Sequence, residues 1–115
     1  MSQVYLPVAL RQLIIEAARH RCGYCLSSQL NDGQPYHVEH LIPLSAGGTT
    51  SEQNLWLACP RCNLHKGMQV DGLDPDTRLR VPLFNPREQL WQEHFSWSED
   101  GTLIIGLTPA GRVIQ

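Results

Sequence analysis

No uninterrupted apolar run in the 115-residue sequence approaches the ~18 residues that a membrane-spanning helix needs, which excludes an integral helical membrane protein. The opening residues, Met1-Ser2-Gln3-Val4-Tyr5-Leu6-Pro7, lack the charged start, long apolar stretch and small-residue cleavage site of a secretory signal, so a cytoplasmic location is expected. A basic surplus is missing as well: 9 Lys and Arg face 11 Asp and Glu, a formal charge of −2. That withholds the broad phosphate-neutralising surface from which non-specific nucleic-acid affinity comes, so any such binding needs a local patch, a bound cation or a partner. Internal repeats and low-complexity tracts are also absent. A chain this short builds one modest core, and residues 1–115 are predicted to form a single domain.

What the sequence does have is two C-x-x-C pairs, Cys22/Cys25 and Cys59/Cys62. In a reducing compartment such pairs are better explained as metal ligands than as disulfides. A structural zinc ion wants four soft ligands in a tetrahedron, and each pair supplies two, so one closed four-cysteine zinc site is predicted. Four thiolates around Zn²⁺ would add a further net −2 to the domain. A thiol redox protein is the weaker reading, since neither pair sits in a βαβ pattern.

Around these pairs the patterning predicts an α+β fold. Leu6, Leu10, Leu13, Ile14 and Ala17 recur at three- and four-residue spacing around Pro7, giving an amphipathic helix over about 7–19 that packs on the metal core. Gly23 permits the tight first knuckle. Residues 27–35 read as a polar turn segment, 36–44 as a strand, 54–58 as a second short extended segment and 60–68 as a helix. The Asp- and Pro-rich stretch 71–86 is predicted to be an irregular surface connector. A short helix over 87–94, a hairpin over 95–107 turning at Ser98-Glu99-Asp100-Gly101 and a helix start at Thr108-Pro109 complete the prediction. Trp56, Trp91 and Trp97 are expected in the core.

Between the cysteine pairs runs Val38-Glu39-His40-Leu41-Ile42-Pro43-Leu44-Ser45-Ala46-Gly47-Gly48, then Asn54-Leu55, and the second pair continues as Cys59-Pro60-Arg61-Cys62-Asn63-Leu64-His65-Lys66-Gly67. In this order the string resembles the HNH endonuclease family, in its subgroup with a four-cysteine zinc, over residues 20–68. Residues 83–115 are similar to the C-terminal extension of a bacterial HNH subgroup. The resemblance implies a ββα-metal (His-Me finger) core and a DNA substrate, with RNA kept open as a second one. It places His40 at the general base, Glu39 at the carboxylate metal ligand, Asn54 at the brace of the site and Asn63 at the second metal ligand. His37, one strand period from Glu39, becomes a candidate third ligand. Glu39 stands where Asp is commoner, and Asn63 where the family name has its last His.

The chemistry accounts for these residue types. An imidazole near neutral pKa can take a proton from water, and a cation held by hard oxygen ligands, Mg²⁺ or Mn²⁺, can act as Lewis acid on a phosphate. Lys66, Arg61 and Arg21 are candidate phosphate contacts, with Arg19 and His20 near them in a basic rim. Lys66 reads equally as a cation favoured by the helix end. A protein partner or a homodimer is the expected remedy for the acidic charge. The competing reading is a non-catalytic zinc-knuckle module that binds nucleic acid or protein.

Overall fold

The computed structural model describes residues 6–114, which divide between Met68 and Gln69 into two compact units. Both mix short helices with two-stranded antiparallel sheets, an α+β architecture.

The first unit opens with helix α1, Val8–Ala17. Pro7 precedes it with φ −58°, the value its ring imposes, and its carbonyl accepts from Arg11 N at 2.9 Å. The buried face is rotated from the predicted one: Ile14, Ile15 and Ala18 are buried, whereas Leu13 and Ala17 are exposed. The helix ends in a Schellman-type closure in which His20 N bonds Ile15 O at 3.0 Å. Arg19 and His20 both take positive φ, 56° and 60°, where glycine would be the unstrained choice. Leu26 (φ 64°), and not Gly23, is the left-handed residue of the first knuckle.

A single helical turn α2, Gln29–Asp32, leads to strand β1, His37–His40. Tyr36 anchors the approach. It is buried, its hydroxyl donates to Asp32 Oδ2 at 2.9 Å, and its amide donates to Gln29 Oε1 at 2.8 Å. β1 is shorter than the predicted 36–44 because Asn54 captures the backbone of Ile42 beyond its end and Leu44–Ala46 coils into a 3₁₀ turn. Strand β2, Leu55–Ala58, pairs with β1 so that Val38 faces Leu57, Glu39 faces Trp56 and His40 faces Leu55. Leu55, Leu57 and Ala58 are fully buried together with Ile14, and Leu41 joins them in the core. Helix α3, Pro60–Lys66, follows with Cys59 as its N-cap and Gly67 at its C-cap (φ 55°).

In the second unit the predicted connector is a hairpin. Strand β3, Asp71–Leu73, pairs with β4, Arg80–Pro82. Proline is tolerated there because a two-stranded sheet has only edge strands. The intervening turn is organised by Asp74, whose carboxylate accepts from Thr77 Oγ1 at 2.7 Å and Thr77 N at 3.1 Å. Helical turn α4, Trp91–His94, is shorter than predicted, and β5, Phe95–Trp97, pairs with β6, Ile104–Gly106, as the expected hairpin. Trp97, expected in the core, is 47% exposed while stacking near Trp91. Helix α5, Pro109–Ile114, lies so close to α4 that a Cβ on Gly111 would sit 2.2 Å from His94 O.

Arg112 on α5 grips buried Asp74 through Nε at 2.8 Å and Nη2 at 3.0 Å. Hydrogen bonding to that guanidinium, then to Thr77, holds the Asp74 carboxyl well below the usual range. A carboxylate depressed by folding stabilises the fold above its unfolded pKa, and the stabilisation fades as pH falls through the folded value. Asp74→Asn is therefore expected to lower the melting temperature at pH 7, with the gap to wild type closing below about pH 4. A gap independent of pH would contradict the ion-pair account.

Candidate metal centre and adjoining cleft

The first knuckle is held to the ribbon by a backbone bond, and the second continues directly from β2. Gly23 N donates to Leu57 O at 2.9 Å and Cys22 N to Ser27 O at 2.9 Å, so the first knuckle leans on β2. Tyr24 N points at Cys22 Sγ and Cys62 N at Cys59 Sγ, both at 3.4 Å, as amides do toward thiolates in a metal knuckle. The four sulfurs lie within 4.8 Å of one another. Cys25 Sγ and Cys59 Sγ are 3.8 Å apart. Sulfurs at ~2.3 Å from a tetrahedral zinc would stand ~3.8 Å from each other, so the donor set fits that ion in type and in spacing.

Four thiols this close also conflict. Hydrogen bonding with Cys25 pushes the Cys22 thiol up to about 12, and the same contact pulls Cys25 far below the thiol range. A bound divalent cation removes the conflict by letting all four ionise together. Among the described residues, this is the cluster of three or more His, Cys, Asp or Glu side chains close enough to share an ion.

Beside it opens a cleft of about 390 Å³ between β1, the loop after it and α3, lined by His37, Glu39, His40, Ser45 and Asn63 among others. Of the predicted site residues, Glu39, His40, Asn63 and His37 are thereby brought to one cleft, while Asn54, Lys66, Arg61 and Arg21 do not line it. Glu39 is 8% exposed, and Tyr24 Oη donates to its Oε1 at 2.6 Å. Burial raises its pKa, opposed by the Tyr24 hydrogen bond and the charge of Lys66. His40 is half-buried at the end of β1 with Nε2 2.9 Å from Thr50 Oγ1, and desolvation lowers its pKa. His37 is exposed on the rim.

Asn54 acts on the backbone. Its Oδ1 accepts from Ile42 N at 2.9 Å, and its Nδ2 donates to Ile42 O and Thr49 O, both at 2.8 Å. It thus clamps the 42–49 loop and fixes Thr50 opposite His40. Gly48 lies under the same clamp, where a Cβ would come 1.8 Å from Ile42 O. Asn54→Ala is expected to destabilise the first unit by about 2–3 kcal/mol, taking about 1 kcal/mol per lost bond. Urea unfolding checks this, and wild-type stability in the variant would contradict it.

Lys66 is placed differently from the phosphate contact suggested by its sequence position. It is 4% exposed, and its Nζ donates to Leu41 O at 3.2 Å, inside the fold and near Glu39. Arg21 and Arg61 remain exposed. Tyr24 and Thr50 carried no sequence signal as site residues: one reads as filler within a knuckle, the other as part of a polar loop.

Residues 22–69 match the family model of the HNH endonucleases. This segment is similar to the HNH endonuclease domain. Within the chain, 43 residues are 46% identical to the type IV methyl-directed restriction enzyme EcoKMcrA of Escherichia coli (strain K12). The aligned stretch covers 36% of this chain and 16% of that protein. The HNH segment closes at the Met68–Gln69 division between the units, and so contains both knuckles, the ribbon and α3.

Proposed function

We propose that the protein is a metal-dependent HNH endonuclease that hydrolyses DNA phosphodiester bonds, leaving 5′-phosphate and 3′-hydroxyl ends. The observation that carries this reading is the shared cleft, where Glu39, His40 and Asn63 line one surface beside the cysteine cluster. The cysteines would hold structural zinc. Glu39 and Asn63 would offer oxygens to a hard cation, Mg²⁺ or Mn²⁺, whose remaining positions water and phosphate can fill. When bound, that cation supplies Lewis-acid stabilisation of the phosphate oxygens and of the leaving 3′-oxygen.

The protein's own groups do the rest. His40 Nε2 lies 2.9 Å from Thr50 Oγ1, and in the tautomer where Nε2 donates, Nδ1 would be the nitrogen that takes a proton from the attacking water. Burial lowers its pKa and so favours the neutral imidazole that a base requires. Asn54 holds the loop that holds Thr50. The absence of a basic surplus means that affinity for the phosphate chain comes from the cation and local residues such as Arg21 and Arg61, or from a partner.

The reading is tested on supercoiled plasmid and labelled duplex with Mg²⁺, Mn²⁺ or chelator. Divalent-dependent nicking with 5′-phosphate ends supports it. Failure to cut with any of these metals, while zinc-loaded and folded, overturns it in favour of a non-catalytic zinc-knuckle binding module.

A further inference from the structure

The Tyr24–Glu39 contact joins the two candidate metal sites. Tyr24 sits inside the Cys22–Cys25 knuckle, its amide aimed at Cys22 Sγ and the preceding residue's amide bonded to β2. Its phenol is buried, and its hydroxyl meets Glu39 Oε1 at 2.6 Å, the short separation of a hydroxyl donating to a carboxylate. One carboxylate oxygen is thus fixed by a side chain with only two rotatable bonds, itself rooted in the knuckle. Glu39 is at the same time one of the residues that line the cleft. Lys66, bonded to Leu41 O, contributes a balancing charge that acts on the carboxylate.

We propose that Tyr24 is a positioning residue that couples the cysteine knuckle to the catalytic-cation ligand, by holding Glu39 through Oε1 so that its free oxygen faces the cleft. This inference rests on the reading of Glu39 as a cation ligand. A partner that orients a metal ligand changes metal affinity or activity ten- to a hundred-fold when lost, without itself touching the metal.

The test is Mn²⁺ titration of zinc-loaded protein, followed by the electron paramagnetic signal of free Mn²⁺, for wild type, Tyr24→Phe, Glu39→Ala and the double variant. Zinc content and circular dichroism are measured alongside. Tyr24→Phe, which keeps the ring, is expected to retain one zinc and the native spectrum while its Mn²⁺ Kd rises about ten-fold or more. The double variant should then bind no more weakly than Glu39→Ala. If Glu39→Ala weakens Mn²⁺ binding but Tyr24→Phe binds as wild type, the Tyr24 role is overturned and the functional reading stands. If Glu39→Ala itself binds as wild type, the cation-ligand reading falls and this inference with it. A Tyr24→Phe protein that loses zinc or fold also overturns the proposal, because the hydroxyl would then be holding the fold and not the ligand.

Discussion

Cys59→Ser is expected to leave the first unit unfolded and zinc-depleted. Cys59 is three things at once: a buried member of the four-sulfur cluster, the N-cap whose Sγ accepts from Cys62 N, and the hinge from β2 into α3. Structural zinc contributes about 10–16 kcal/mol of apparent binding free energy in small zinc domains, as much as the whole stability of an ordinary domain. The apolar core around Ile14, Leu55 and Leu57 is small, and the chain strains Arg19, His20 and Leu26 into positive φ to bring the knuckle into place. Without the ion that geometry has little to hold it. Zinc content and circular dichroism of the purified variant decide the matter, with chelation of wild type as a parallel route. A Cys59→Ser protein that is folded and carries one zinc would show the cysteines to be incidental.

His40→Ala is expected to keep the fold and lower the cleavage rate by about 10²–10⁴-fold, the range a positioned general base supplies. The fold should survive because His40 is only half-buried at a strand end and its side-chain contact is with Thr50, at the surface of the loop. The rate should fall because, in the proposed mechanism, no other group in the cleft is offered as a neutral base: Glu39 is engaged by Tyr24, and His37 lies on the exposed rim. His65→Ala, at an exposed position on α3, serves as the control and should cut at the wild-type rate. Undiminished cleavage by His40→Ala in matched metal would remove His40 from the mechanism.

The central segment was the most legible part of the sequence, and the reason is physical. Metal ligands impose fixed residue types at fixed spacing, so the knuckles, β2 and α3 could be placed from residues alone, whereas the Asn54 brace rested on the family resemblance. The Asp71–Pro82 hairpin was hidden because its turn is organised by Asp74, which Arg112 grips from 38 residues away, and not by alternation within the strands. The buried face of α1 was misjudged by a fraction of a turn because Ile15 and Ala18 matter more than Leu13 once the ribbon sets the packing direction. Tyr24 and Thr50 were invisible for a related reason: the contacts that bring them to the site are to residues 15 and 10 positions away. Lys66 could be read from its position either as a phosphate contact or as a cation favoured by the helix end, and the fold turns it inward.

Two metals in two sites is the central claim, and anomalous diffraction from a crystal soaked in Mn²⁺ tests it most directly. Data at the zinc and manganese edges should place zinc among Cys22, Cys25, Cys59 and Cys62, and manganese in the cleft against Glu39 and Asn63. Manganese absent from the cleft, or bound there without contact to either residue, would contradict the account.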